Sequence, residues 1–249
     1  MSTKKTTYRK SHTAKGYGAH YQKTYTSGYY AILWDNVEKP LVKSVFEDIK
    51  TSGAKKCLDF ACGTGRITAV AEDVFETVVG VDISADMLSV ANKKLSRVRL
   101  IEQDITSHPL KEQFDVISSF RFFLNAEHQL SSSVLKSMYK MLEEDGTLVV
   151  NVHVNKWSLL GVVYRLRNSI GGRVTANTLG WKEFSKTLNA AGFHVVQTKW
   201  YGFYPRTGWM FSSVAKVCLF PFEKLCNASG LFPKRWAQNF IVVCKKTNP

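Results

Sequence analysis

The chain reads as an α/β protein built on a doubly wound, mostly parallel sheet, and three features predict it. Short runs of consecutive Val, Ile, Leu and Phe alternate with segments of helical periodicity between residues 56 and 154. The first run passes through a tight glycine turn, Ala61-Cys62-Gly63-Thr64-Gly65, straight into a helical pattern. The next two runs close on acids, Asp82 and then Asp104, at the strand ends where open sheets of this kind bind ligands. With 249 residues, 45% hydrophobic and 22% charged, the chain can bury one core and carry insertions on it.

Taken in order, residues 1–23 are polar and basic with no apolar core of the signal-peptide kind, and residues 1–45 read as a basic N-terminal lid. Five runs follow as strands: Lys56–Phe60, Thr77–Asp82, Val98–Glu102, Phe114–Phe120 and Thr147–Val154. Their unbroken apolar character predicts parallel strands covered on both faces. Ser84 is placed to cap a helix bearing Met87, Leu88, Ala91 and Leu95 on one side. Leu130, Val134, Met138, Met141 and Leu142 mark another helix, expected to stop near Asp145-Gly146. Residues 155–179 read as an insertion with one short amphipathic helix, followed by a helix on Trp181, Phe184, Leu188 and Ala191 closed by Gly192. Two last strands, His194–Phe203 and Asn239–Lys246, flank a second insertion, 203–238, rich in aromatic and apolar residues. The organisation is thus a basic segment, 1–45, and one domain, 46–249, with two insertions.

Charge is unevenly spread. Residues 57–150 hold 9 Lys/Arg against 14 Asp/Glu, whereas 151–249 hold 14 against 2 and 1–56 hold 11 against 4. Two basic ends around an acidic middle point to an anionic partner or surface. Five cysteines with no C-x-x-C pair suggest neither a disulfide framework nor a zinc site, so the expectation is a reducing cytoplasm and no metal. No apolar run approaches the ~20 residues needed to span a bilayer.

The glycine turn is compatible with two kinds of nucleoside cofactor. A dinucleotide fingerprint requires a third glycine, and counting from Gly63 that position is Thr68. Asp82 is placed to accept from two ribose hydroxyls in either case. Asp104 has no general use with a dinucleotide, but suits the amino group of an adenine lying across the first three strands.

With these residues in view, LDFACGTGR, VVGVDISADML, EQDIT and FDVISSF resemble the successive motifs of the class I S-adenosylmethionine-dependent methyltransferases. HVVQTKWYGF and NFIVVCKK are similar to that family's edge hairpin. The resemblance implies a Rossmann-like seven-stranded sheet with an antiparallel C-terminal hairpin and cap insertions. It implies S-adenosylmethionine as cofactor and S-adenosylhomocysteine as product. It places Asp59 and the backbone of Ala61, Cys62, Gly63 and Gly65 near the methionine part, and Asp82 on the ribose. Ile83 and Met87 would cover the adenine, Asp104 and Ile105 would read its edge, and Ser119 would approach the sulfonium. Ala61 departs from the usual first glycine. Lys15-Gly-Tyr-Gly-Ala-His-Tyr resembles a tyrosine-bearing lid, with Tyr17 and Tyr21 on one helical face.

The acceptor is less legible. The position after the fourth strand reads Ser118-Ser119-Phe120-Arg121 instead of the Asn/Asp-Pro-Pro-aromatic run used on nucleic-acid amino groups, and no Pro-Cys nucleophile is present. Nucleic acid is therefore disfavoured, and a small molecule methylated at oxygen is expected. His153, at the end of the fifth strand and near-neutral in ordinary pKa, is the candidate base. Arg121, Asn125, Trp157 and Tyr204 are candidate acceptor contacts, with Arg121 suited to an anionic group. Residues 209–222 are expected to roof the acceptor pocket or to touch a membrane surface. A nicotinamide enzyme, a catalytically silent binding protein, an RNA methyltransferase and a peripheral membrane N- or C-methyltransferase remain as alternatives. The sequence carries no sign of oligomeric state.

Overall fold

A computed structural model describes residues 16–170, 177–206, 212–228 and 232–247. Two short helices, α1 (Tyr17–Thr24) and α2 (Gly28–Leu33), lead through a π-helical turn, Trp34–Glu38, into α3 (Lys39–Thr51). Then come β1 (Lys56–Phe60), α4 (Arg66–Glu72), β2 (Thr77–Asp82), α5 (Ala85–Asn92), β3 (Val98–Glu102) and β4 (Phe114–Ser119). The second half holds α6 (His128–Met141), β5 (Leu142–Val152), α7 (Leu159–Ser169), α8 (Trp181–Ala190), β6 (Phe193–Tyr201), α9 (Ser212–Ala228) and β7 (Asn239–Lys246).

The seven strands form one sheet in the order β3-β2-β1-β4-β5-β7-β6. β1 to β5 run parallel, while β7 is antiparallel to both β5 and β6. The order reverses between β1 and β4, and in a doubly wound sheet such a reversal opens a crevice at the carboxyl ends of the strands.

Alternation along each strand assigns its two faces. Leu58, Phe60, Val79, Val81, Ile117, Leu148 and Val150 meet α6 and α8 through Val134, Leu135, Met138, Phe184 and Leu188. Cys57, Val78, Val116, Val149 and Ile241 meet α3 and α4 through Val42, Val45, Phe46, Ile67 and Val70. A third, smaller cluster joins α2 to α9: Tyr29, Ile32 and Leu33 against Ala215 and Leu219.

Three sequence expectations change. The helix carrying Met138 ends at Met141, and the chain is already extended at Leu142, which pairs with Phe114 of β4 before the register shifts to Val116 opposite Thr147. Sheet pairing there overrides the Asp145-Gly146 stop signal. Val98–Glu102 is an edge strand with only partly covered side chains, so it is not covered on both faces. In the second insertion the described helix α9 packs on α2, and no described residue of the insertion lines the crevice. Trp209 and Phe211, expected to share that role, lie outside the described residues. Ser84 caps α5, its Oγ accepting from the Met87 amide at 3.4 Å.

Candidate functional site

The crevice at the switch point is a cavity of about 190 Å³ walled by the ends of β1, β2, β4 and β5, the start of α5, Asp104 and Thr106 beyond β3, and α1. The turn after β1 is fixed by hydrogen bonds from two directions. The Gly63 amide donates to Asp82 Oδ2 at 2.8 Å, while Ser84 donates its amide to the other oxygen at 2.9 Å. Asp59, fully buried, accepts from Thr68 Oγ1 at 2.6 Å and from Ser118 Oγ at 2.7 Å. Burial pushes its carboxyl up to about 6, with the Asp82 charge adding and those hydroxyls opposing. Thr68 therefore has a side-chain task that a dinucleotide loop's third glycine could not perform.

Gly65 is not on the cavity wall. Its φ is +78°, and a Cβ there would lie 2.9 Å from Leu95 Cδ1 and 3.1 Å from Ala91 Cβ, so this glycine lets α4 approach α5. Ala61 and Arg121 are the non-glycine residues with left-handed backbone among those described, at φ 54° and 64°. Both stand at strand ends on the cavity, where such conformations cost about 1–3 kcal/mol each.

One end of the cavity, at the β2 and β3 edges, is lined by Asp82, Ile83, Met87, Asp104 and Thr106. Asp104 Oδ1 accepts from the Thr106 amide at 2.9 Å and from Thr106 Oγ1 at 2.6 Å. Ile105, assigned to this edge by the resemblance, is instead wholly buried in the core, and Thr106 takes the wall position. The alternation after β3 explains the exchange, because neighbouring residues point to opposite sides.

The other end, at β4 and β5, is built around two arginines. Arg121 donates from Nη2 to Glu38 Oε2 at 2.8 Å and from Nη1 to Tyr25 Oη at 3.0 Å, and its amide donates to Asn151 Oδ1 at 2.7 Å. Tyr201 Oη donates to Glu38 Oε1 at 2.7 Å and accepts from Asn151 Nδ2 at 3.3 Å. Arg66 stacks on Tyr25, 3.7 Å from the ring centre, and on Trp34 at 4.7 Å. Burial alone would raise the Glu38 carboxyl, but Arg121 and Arg66 outweigh it and hold Glu38 below the usual range. Burial lowers the Arg66 guanidinium, and repulsion from Arg121 lowers it further.

His153 lines the same end. Burial, then Arg121 and Arg66, depress its imidazole to about 3, so the near-neutral titration expected of a general base is absent. Its Nδ1 is buried without a hydrogen-bond partner, as are Arg66 Nη1 and Arg121 Nε. Asn125 stands on the wall, exposed.

α1 covers the cavity. Asp86, in the first turn of α5, accepts from the Gly16 amide at 3.1 Å and the Gly18 amide at 2.7 Å. A Cβ on Gly18 would lie 2.9 Å from the Asp86 carbonyl oxygen, so only glycine lets α1 sit this close. Tyr17, Tyr21 and Tyr25 line the cavity as a ladder of rings, with centroids 6.1 and 4.9 Å apart.

Of the residues expected at the site, Tyr17, Tyr21, Asp59, Ala61, Cys62, Gly63, Asp82, Ile83, Met87, Asp104, Arg121, Asn125 and His153 lie on this one cavity. Gly65, Ile105 and Ser119 lie behind its wall, and two candidate acceptor contacts lie elsewhere. Trp157 is 53% exposed, at 4.8 Å from Arg165. Tyr204 is held outward: its carbonyl accepts from Tyr29 Oη and Gln238, its amide donates to Glu223, and its ring meets Phe222. Sequence reasoning missed Tyr25, Glu38 and Arg66. Tyr25 continues the four-residue spacing of Tyr17 and Tyr21, and Arg66 directly follows the glycine turn, so both had a signal. Glu38 had none, because only the π-helical turn brings it under the sheet.

Comparison with known proteins agrees with this geometry. Residues 58–150 match the family profile described as a methyltransferase domain. A Geobacillus sp. (strain WCH70) protein bearing a methyltransferase name is 33% identical over 108 residues, 41% of this chain and 43% of the relative. Thiocyanate methyltransferase 1 of Arabidopsis thaliana is 26% identical over 147 residues, 55% of this chain and 58% of the relative. The chain thus spans about half the length of these curated relatives. The crystal structure of magnesium protoporphyrin IX methyltransferase from Synechocystis PCC 6803 with bound SAH superposes with a TM-score of 0.65 at 14% identity, covering 96% of this chain and 98% of that one. The profile match from β1 to β5 marks residues 58–150 as a methyltransferase domain, and the seven-stranded sheet with its antiparallel edge has the fold of solved S-adenosylmethionine-dependent methyltransferases.

Proposed function

We propose that this protein binds S-adenosylmethionine across the ends of β1, β2 and β3 and methylates a small molecule, at oxygen, held at the β4–β5 end of the same cavity. The observation that carries this is the cavity's two-ended lining: carboxylates and apolar side chains at one end, guanidiniums and tyrosines at the other, the glycine turn between them. The residues fit an adenosyl group. Asp82 accepts from the Gly63 and Ser84 amides, which holds its carboxylate on the cavity beside the glycine turn, where ribose hydroxyls would meet it. Ile83 and Met87 supply apolar cover beside Asp104. When bound, the cofactor supplies an electrophilic methyl on a sulfonium.

The chain's own residues orient the acceptor and keep water out. Tyr17, Tyr21 and Tyr25 close the cavity from the α1 side, and Arg121 is fixed by Glu38 and Tyr25. His153 acts as a neutral wall residue. With its pKa near 3 it is a poor proton acceptor at neutral pH. Catalysis in this scheme is positioning and desolvation.

Asp82→Ala tests the cofactor assignment. Hydrogen bonds to a charged group contribute about 1.5–3 kcal/mol each, so affinity for S-adenosylhomocysteine should fall about tenfold or more by calorimetry. Unchanged affinity, or tighter binding of NADH than of S-adenosylhomocysteine by the wild type, would reject it.

A second element of the reading concerns location: a cytoplasmic enzyme that touches an anionic membrane surface. No helix among the described residues is long and apolar enough to cross a membrane. On α9, Val217 and Leu225 are 73% and 55% exposed; Leu166 on α7 and Ile170 just after it are 62% and 84% exposed. Lys216, Lys224, Arg165 and Arg167 lie among them. Apolar faces rimmed by cations support contact with anionic headgroups.

A further inference from the structure

The β4–β5 end of the cavity holds more positive charge than its own residues neutralise. Arg66 and Arg121 both act on Glu38, the carboxylate named among the main charged neighbours of this pair, and Lys94 adds positive charge next to Arg66. Glu38 is itself committed to Arg121 Nη2 and Tyr201 Oη. Six buried side-chain atoms lack a hydrogen-bond partner among the described residues, and three of them, Arg66 Nη1, Arg121 Nε and His153 Nδ1, belong to this wall. Buried polar atoms are normally satisfied, and leaving one unpaired costs about 1–3 kcal/mol, so the two unpartnered guanidinium donors on residues that line the cavity point to a ligand that accepts from them. Guanidinium donors match the paired oxygens of a carboxylate.

Resting on the methyltransferase reading above, we propose that the methyl acceptor is a small carboxylate, held by Arg66 and Arg121 at the β4–β5 end, and methylated as the anion. The chemistry needs no base, in keeping with the depressed imidazole of His153 on that wall. A carboxylate oxygen carries its lone pair with no proton to lose. It forms the new O–CH3 bond as the methyl carbon's bond to sulfur breaks, and that bond's electron pair stays on sulfur. The sulfonium's positive charge and the carboxylate's negative charge cancel, and no proton is released. The product is a neutral methyl ester, which the paired guanidiniums hold less tightly than the anion, so product departure is favoured.

The cofactor's own methionyl carboxylate is the other anion that could answer these donors, and the experiment separates the two. The wild type, saturated with S-adenosylhomocysteine, is titrated by calorimetry with formate, acetate and benzoate, and with formamide, acetamide and benzamide as neutral counterparts. At least one carboxylate should bind ten times more tightly than its amide. Arg66→Gln should remove that preference while changing S-adenosylhomocysteine affinity less than threefold. Arg66→Lys, which keeps the charge, should retain part of the preference and controls for a folding defect. Equal binding of every carboxylate and its amide overturns the proposal. So does a tenfold loss of S-adenosylhomocysteine affinity in Arg66→Gln with 5′-methylthioadenosine affinity unchanged, which assigns the guanidinium to the cofactor. If the wild type fails to bind S-adenosylhomocysteine, the methyltransferase reading falls first and takes this proposal with it; binding of S-adenosylhomocysteine without a carboxylate preference sinks this proposal alone.

Discussion

Glu38 shows how one buried carboxylate organises residues far apart in sequence. It is 1% exposed and accepts from both Arg121, after β4, and Tyr201, at the end of β6. Breaking a buried pair by removing one partner leaves an uncompensated charge and costs about 3–5 kcal/mol. Glu38→Gln should therefore lower the unfolding free energy by about that amount in urea titrations; a loss under about 1 kcal/mol would mean that Arg121 has another partner. His153 makes a pH prediction. Its folded pKa, about 3, lies below its ordinary value of about 6.5, so the unfolded chain binds the extra proton between those values. Stability must then fall as pH drops through that window. Asp59 works the other way: its folded pKa is raised to about 6, so the folded chain binds the extra proton below it and gains stability as pH falls toward about 3.9. In the wild type the two partly cancel. His153→Asn removes one side of the balance, and its urea midpoint should fall less between pH 6.5 and pH 4 than the wild type's. Identical pH slopes would show that the imidazole is free to charge in the fold.

Among the elements, α1 carries the most function for its length. It is eight residues long, too short to hold helical structure by its own hydrogen bonds, and its position comes from docking. The Gly16 and Gly18 amides on Asp86 and the Lys94 Nζ donation to Gln22 at 2.6 Å tie it to α5. The element that caps the adenosine end of the cavity thereby also holds the lid. Asp86→Ala should raise the dissociation rate of S-adenosylhomocysteine about tenfold in stopped-flow, with the melting temperature changed by no more than a few degrees, because the sheet and its two cores do not depend on α1. A large drop in melting temperature with an unchanged release rate would show that α1 supports the fold and does not gate the site. The Rossmann-type turn after β1 is legible at this scale too. Its glycine pattern and the missing third glycine were readable, whereas the task of Gly65, admitting α5 to α4, was not. That needed Ala91 and Leu95 to be seen against it.

The whole molecule pairs an acidic cofactor half with a basic C-terminal part, and its exposed apolar side chains concentrate on α7 and α9. If those helices meet a bilayer, the protein should sediment with vesicles containing anionic lipid, less so as salt rises, and not with neutral vesicles. Val217→Asp with Phe220→Asp should abolish sedimentation while leaving S-adenosylhomocysteine affinity unchanged, since neither residue lines the cavity. Binding that persists in the double variant would assign the interaction to charge alone.

The sequence by itself determined what depends on neighbours along the chain. The strand runs, the glycine turn and its two following aspartates, the Ser84 cap and the antiparallel last strands are local patterns, and local patterns carry periodicity and turn chemistry. Only the tertiary structure decided what depends on residues distant in sequence meeting in space. It brought Glu38, Arg66, Arg121, His153 and Tyr201 to one cavity end, from the π-helical turn, α4, the loop after β4, the chain after β5 and the edge of β6. It sent Tyr204 and Trp157 away from that end and turned α9 into packing for α2. The physical reason is the same throughout: a side chain's charge state and partners follow from burial and from whatever the fold sets beside it, and neither is written in the residues next to it.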